Sequence, residues 1–384
     1  MGSTVMIFGL GDLGGWVLEF LARCEGVGTI IAADLREDWG VRKTHTAAIG
    51  AAQQGYYKTI KFHKCDVRDI DGTAELLKTI NPDLVYSNLS RGAFLVQQML
   101  VSEIGRFIPD ISEKWHKATG ARFPLQVVLL SKLMQAVKKS GITAPVVNNS
   151  MPDIVNPVLW RNGLGPLVGA GNMDLIVGEI KRKVSIAENV PIREITVCMI
   201  AAHVLNAQGT RTGAPFFLKI LVREKDITNK LDIDSLISDR PTGGPASEIS
   251  WIRHPTVAAS AVKNIMAILN DTNLYTHAPG PNGLPGGYPV RLSANGVEVV
   301  LPEGITLEEA IKINLDGLRL EGVGELKDDG TVVVTDEAYK IHKEILGVDW
   351  REIRFADMEA VSTELISAFE KVADKYNISR PAVY

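Results

Sequence analysis

The stretch Val5-Met6-Ile7-Phe8-Gly9-Leu10-Gly11-Asp12-Leu13-Gly14-Gly15-Trp16 runs four apolar residues into three glycines spaced G-x-G-x-x-G. Read as strand, tight turn and helix, it gives each glycine a task. Gly9 makes the turn, Gly11 lets backbone approach a pyrophosphate, and Gly14 lets the helix pack against the strand. The helix N-terminus, with Asp12 and Leu13, then favours a phosphate. The same spacing also occurs in turns that are only structural.

A second strand-like run, 29–34, ends at Asp34, twenty residues past Gly14. A carboxylate there accepts hydrogen bonds from both ribose hydroxyls and repels a 2′-phosphate. The expectation is therefore a dinucleotide, NAD rather than NADP. Arg36 is the opposing signal, because an arginine at that place serves a 2′-phosphate.

Outward from this segment, short β-type runs at 4–9, 29–34, 59–64, 83–88, 144–149 and 166–170 alternate with helix-like segments at 12–24, 40–54, 71–80, 124–140 and 151–161. In 124–140, Pro124 sits at a first-turn position, Leu125, Val128, Leu129, Leu133 and Ala136 share a face, and Gly141 closes the segment. Alternation of this kind predicts an α/β fold: a doubly wound parallel sheet in a dinucleotide-binding domain over 1–170. After it a helix-like segment at 172–187, β-type runs at 194–201 and 216–223, a polar linker at 239–247, a helix at 255–270 and a hairpin turning at Asn295-Gly296 predict a second, α+β domain over 171–384. Helical material, including a helix at 340–376, ends the chain.

The 384 residues are 46% hydrophobic and carry a formal net charge of −4. Charge is spread along the chain without a long basic run, which argues against nucleic acid as a partner. No run of eighteen apolar residues predicts a membrane span. The chain enters a strand without a charged leader and cleavage site, and its three cysteines, Cys24, Cys65 and Cys198, form no metal-type pair. These features favour a cytoplasmic protein with no bound metal.

The segment "ITVCMIAAHVLN" at 195–206 reads as a buried strand ending in His203. A lone histidine there is either a core residue or a proton-transfer group. Asp174, about thirty residues upstream at the start of a helix, favours the second reading, because a carboxylate that holds an imidazole raises its pKa and fixes its tautomer.

The chain resembles the lactate/malate dehydrogenase superfamily over most of its length. The resemblance is carried by "GLGDLG" with Asp34, "PDLVYSNLS", the helix after "GARFPLQVVLL", "APVVNNSMPDIVNPVLW", "GAGNMDLIVGEI", "VCMIAAHVLN", "HPTVAASAVKNIMAIL" and "GGYPVRLSANGVEVVLPEGITLEEA". It implies a Rossmann-type fold, bound NAD, and hydride transfer between nicotinamide and a hydroxyl-bearing carbon of a small molecule. It also implies His203 as general acid/base, Asp174 as its orienting carboxylate, and Arg122 as a mobile-loop arginine that polarises the carbonyl. Asn148 or Asn149 would bond the reacting oxygen and the nicotinamide region, Asn88 would line the cofactor groove, and Arg253, His254 and Thr256 would lie near the substrate. A homodimer or homotetramer is the implied assembly.

Val177 stands where the family has a carboxylate-binding arginine, Ala202 and Val204 flank the histidine in place of glycines, and 91–121 is long for a mobile loop. These departures imply a substrate larger than lactate or malate, with any anionic group held by another cation. The runner-up readings are a redox-neutral enzyme that uses bound NAD for transient oxidation, an opine-type reductase, and a dinucleotide-sensing module.

Overall fold

The structure, a computed structural model, describes residues 2–92, 104–108, 110–239 and 246–378, with side chains described from 253 onward in the last stretch. Six parallel strands, β1 (Ser3–Phe8), β2 (Val27–Asp34), β3 (Thr59–Lys64), β4 (Leu84–Ser87), β5 (Val146–Asn148) and β6 (Val168–Gly169), form one sheet in the order β3-β2-β1-β4-β5-β6. This is the doubly wound order, which reverses direction between β1 and β4 and leaves a crevice at the carboxyl ends there.

Both faces of the sheet are buried, as parallel strands require. In β1, Met6 and Phe8 enter one core while Val5 and Ile7 enter the other. The helices α1 (Asp12–Leu21), α2 (Glu37–Gln53) and α3 (Ile70–Ile80) follow the first three strands. Next come α4 (Ile111–His116), α5 (Pro124–Ser140), α6 (Pro152–Arg161) and α7 (Met173–Glu188). The helix expected over 124–140 forms over those residues, with Pro124 in its first turn and Gly141 at φ +73° as its stop.

β7 (Ile195–Ile200) pairs antiparallel with β8 (Phe217–Val222), which carries β9 (Lys225–Asp226). The short α8 (Val204–Gln208) begins directly after His203, and α9 (Ile233–Ser238) follows. Most of the linker expected at 239–247 lies outside the described residues, and α10 (Ala246–Leu269) begins well before the expected 255. Pro255 reads as a helix start by its missing N–H, yet here it lies inside the helix. α10 packs along α1, a tertiary contact that no local signal reports.

β10 (Leu274–Pro279), β11 (Gly287–Ser293) and β12 (Gly296–Val299) form a second antiparallel sheet. The hairpin turns at Ala294-Asn295 rather than at Asn295-Gly296, because Ser293 pairs with Gly296. Gly296, at φ +121°, is the only one of these residues with a positive φ, so the glycine serves the position after the turn. α11 (Leu307–Arg319) is followed by a third small sheet, β13 (Val323–Leu326), β14 (Val332–Val334) and β15 (Glu352–Ile353). The helix expected at 340–376 is two helices, α12 (Asp336–Leu346) and α13 (Met358–Lys375). Gly347, left-handed at φ +71°, ends the first, and β15 intervenes.

The glycine turn separates two demands. A Cβ on Gly14 would lie 1.9 Å from the Gly9 carbonyl oxygen, and one on Gly9, at φ +92°, would lie 2.9 Å from the Asn88 oxygen. A Cβ on Gly11 would meet nothing within 4 Å. Gly14→Ala should therefore cost at least about 1–3 kcal/mol of stability through overpacking. Gly11→Ala should cost less than about 1 kcal/mol, the scale of a helix-cap difference. Urea unfolding of both variants checks this, and equal losses would contradict it.

Candidate active site

The carboxyl ends of β1, β2, β4 and β5 open into a groove of about 580 Å³. Its lining includes Gly9, Gly11, Asp12 and Leu13 from the turn and α1, Asp34 and Arg36 after β2, Asn88 after β4, and Asn149 to Met151 after β5. His254 of α10 and Glu359 and Thr363 of α13 complete it. Gly14 lies behind this surface as the packing contact. The wall contributed by α13 had no counterpart in the sequence reading; Arg91 ties it down by donating to Ser362 Oγ and Thr363 Oγ1, each at 3.1 Å.

Asp34 anchors the glycine turn as well as facing the groove. Its Oδ2 accepts from the Leu10 N–H at 2.7 Å, and its Oδ1 accepts from the Arg36 N–H at 2.9 Å and Nε at 3.3 Å. Each carboxylate oxygen keeps capacity for a further donor. The Arg36 guanidinium lies 5.3 Å from the Trp39 ring, and that indole donates to the Leu10 carbonyl at 2.7 Å. Arg36 is thus drawn toward Asp34 and Trp39.

The two asparagines after β5 part ways. Asn148 is buried with both ends of its amide committed: Nδ2 donates to Ser150 O and Asn156 Oδ1, and Oδ1 accepts from the Ser150 N–H. It shapes the loop and is absent from the groove lining. Asn149 lines the groove, and its buried Oδ1 has no partner among the described residues. An open Gly11 beside a phosphate-favouring helix end, an acidic strand end and an unsatisfied acceptor across the groove fit a dinucleotide.

The loop that carries Asn149 continues into Asp153, in the first turn of α6. Asp153 is 3% exposed. Its Oδ2 accepts from the His203 main-chain N–H at 2.8 Å and its Oδ1 from Asn172 Nδ2 at 2.6 Å. Asn172 holds φ +54°, ψ −123°, a region sparsely populated outside glycine that costs about 1–3 kcal/mol and persists only where the surroundings impose it. Burial pushes the Asp153 pKa up to about 6, against the pull of nearby His203.

His203 has a carboxylate on its ring, and it is Glu321. Nδ1 and Glu321 Oε1 are 2.7 Å apart; Glu321 is 2% exposed while a third of the His203 side chain is open. With Glu321 ionised, Nδ1 carries the proton and Nε2 is left toward solvent with no partner among the described residues. Burial pulls the imidazole's pKa down, but the Glu321 charge, its hydrogen bond and the Asp153 charge outweigh that, so the net shift is upward. Arg253 stands close enough for its charge to oppose the rise. Arg253 is half-buried, which lowers its own pKa, and no carboxylate pairs with it among the described residues.

Asp174, expected at His203, is instead captured elsewhere. Its Oδ2 accepts from Ser260 Oγ at 2.5 Å and Lys263 Nζ at 2.7 Å. The lysine brought in by α10 gives this buried carboxylate its counter-charge. Arg122 is no mobile-loop residue either. It is 4% exposed, its guanidinium lies 3.9 Å from the Trp115 ring, and Nη2 donates to Thr119 Oγ1 at 2.9 Å. Burial lowers its pKa to about 9, with the Glu321 charge pulling the other way, so it stands behind the His203–Glu321 pair. Thr256 is exposed and donates to the Arg253 carbonyl. His254 faces the glycine turn, with Nδ1 2.5 Å from Asp12 Oδ2.

Sequence reasoning missed Glu321, Asp153 and Asn172. Glu321 lies 118 residues from His203, past the end of α11, and nothing in its neighbours marks it. Asp153 was visible beside "VVNN" as a first-turn acid.

No family model and no curated protein matches the chain. Solved structures do. The malate dehydrogenase from Picrophilus torridus matches with a TM-score of 0.57 at 18% identity, covering 84% of this chain and 96% of that one. The Cryptosporidium parvum malate dehydrogenase gives 0.56 at 15%, covering 84% and 98%. MGS-M5, a lactate dehydrogenase from a Medee basin deep-sea metagenome library, gives 0.52 at 15%, covering 85% and 99%. The chain has the fold of malate and lactate dehydrogenases.

Asp153 and His203 both hold their protons more tightly folded than unfolded. The stability they contribute is complete below their unfolded pKa values and is lost as pH rises through the folded ones. Unfolding free energy should therefore fall as pH climbs through about 6 and past the ordinary histidine range. Glu321→Gln should lower the His203 titration midpoint, read by NMR of the ring, and flatten the upper part of the stability profile. Asp174→Asn should leave that midpoint in place; a shift as large as that of Glu321→Gln would restore Asp174 as the partner.

Proposed function

We propose that the chain is an NAD-dependent oxidoreductase acting on a secondary alcohol or its ketone. The observation that carries this reading is the His203–Glu321 pair, one-third open on its histidine side, held by the same β5–α6 loop that lines the groove. The Gly9–Gly14 turn and the start of α1 would hold the pyrophosphate, Asp34 the adjacent ribose, and Asn88 and Asn149 the nicotinamide end. NAD supplies the site that accepts or returns a hydride.

The remaining steps belong to the protein. Glu321 keeps the proton on Nδ1, so the neutral ring presents a basic Nε2. Nε2 takes the hydroxyl proton as the alcohol is oxidised and returns it to the oxygen as the ketone is reduced. Glu321 stabilises the imidazolium between those events. Asp153 fixes the His203 main chain, and hence the ring, relative to the groove. Arg253 replaces the cation missing at Val177 and anchors an anionic group of the substrate.

His203→Ala should lower turnover by about 10²–10⁴ while NADH fluorescence shows cofactor binding nearly intact. Gly11→Val should fold and lose NADH binding. Asp34→Ala should erode the preference for NAD over NADP. A screen of secondary hydroxy compounds followed at the NADH absorbance tests the reading itself. Stoichiometric NADH formation supports it, turnover without net absorbance change indicates the redox-neutral alternative, and near-normal turnover per folded molecule in His203→Ala overturns the mechanism.

A further inference from the structure

The acid in the glycine turn poses a problem for a phosphate. Asp12 opens α1, lines the groove, and is half-exposed, with no side-chain cap on the preceding Gly11. A carboxylate in a first helical turn is stabilised by the same N–H groups and dipole that would receive a phosphate. It therefore competes with a pyrophosphate for that field and repels it as a like charge.

His254 answers the carboxylate. It comes from α10, the helix packed along α1, and its ring is mostly buried at the groove wall. Its Nδ1 lies 2.5 Å from Asp12 Oδ2, so one end of the ring is committed to the acid. Cations stand nearby, together with the Asp34 carboxylate that accepts from the Leu10 N–H. Lys43 Nζ reaches within 2.8 Å of where a Gly15 Cβ would stand, and Arg253 adjoins His254 in the chain. Asp12 is the acid in the first turn of this helix, and the His254 ring is set against its carboxylate.

We infer that Asp12 and His254 form a clasp across the phosphate end of the groove, and that His254 turns from the Asp12 carboxylate to a pyrophosphate oxygen when a dinucleotide enters. The clasp rests on the dinucleotide reading above. It moves His254 from the substrate neighbourhood to phosphate recognition. It also gives Asp12 a role opposite to that of a ligand: the carboxylate joins α1 to α10 in the free protein and weakens phosphate binding.

Three probes separate the contributions: NADH by fluorescence, and ADP and adenosine by calorimetry, with ADP carrying a diphosphate and adenosine none. Asp12→Asn should tighten NADH and ADP by about tenfold, or 1.4 kcal/mol, and leave adenosine unchanged. His254→Gln should weaken NADH and ADP by a similar factor, again without moving adenosine. Thermal unfolding without ligand should show both variants slightly less stable, because each breaks the clasp. Weaker ADP binding in Asp12→Asn, or ADP affinity within twofold of the unmodified protein in His254→Gln, overturns the clasp. Equal shifts for adenosine and ADP overturn it too, since they mark a general loosening of the groove. Failure of the unmodified protein to bind NADH, NADPH or ADP removes the dinucleotide reading itself, and the clasp with it.

Discussion

Asp153 sits where three chain segments meet, and the site depends on its two hydrogen bonds. One oxygen accepts the His203 main-chain N–H, the other the Asn172 amide, and the carboxylate is buried beneath both. A buried acid so placed is expensive to ionise, which is why its pKa rises, and it would be more expensive still without those donors. The arrangement makes the β5–α6 loop, the start of α7 and the end of β7 mutually dependent. Asn172 is held in an unfavourable backbone conformation at that junction, as expected where surrounding structure over-determines a site.

The same junction connects the groove to the histidine along the chain. Asn149 and Met151 line the groove, and Asp153, two residues further, fixes His203. A change at the groove end of this loop is therefore transmitted to the imidazole through a few covalent bonds and one hydrogen bond. Met151, at φ +41°, and the internally bonded Asn148 give the loop little freedom to absorb such a change.

What the sequence made legible follows period and punctuation. The strands and helices of the first half stand close to their expected ranges because alternating apolar faces and glycine or proline stops are local signals. Gly9, Gly11 and Asp34 gather at the groove, with Gly14 packed behind it, because a compact strand-turn-helix-strand unit fixes their separation. Partners across long loops have no such period. Asp174 was matched to His203 by order along the chain, whereas α10 places Lys263 and Ser260 on Asp174 and the end of α11 places Glu321 on His203. Arg122 reads as a mobile-loop arginine only through the family resemblance, whereas Trp115 and Thr119 hold it in the core. Pro255 misled for a related reason: a proline marks a helix start only where no neighbour supports the turns before it.

The exchange of carboxylates has an electrostatic consequence. Glu321 is buried and faces the imidazole at one nitrogen, so protonating His203 sets a positive charge directly on a buried carboxylate. The Glu321 charge holds the Arg122 pKa up against burial, so the guanidinium and the carboxylate face each other behind the imidazole. Arg253 works against the proton on His203 from the other side. An anion that pairs with Arg253 cancels the charge that opposes protonation, and the proton affinity of His203 rises in consequence. Occupancy at Arg253 and protonation at His203 are thus positively coupled, and the coupling is reciprocal by linkage. An anion at Arg253 is therefore held most strongly when the imidazole is charged. Conversely, Nε2 is the stronger base when an anion compensates Arg253 and the weaker one when that charge is uncompensated.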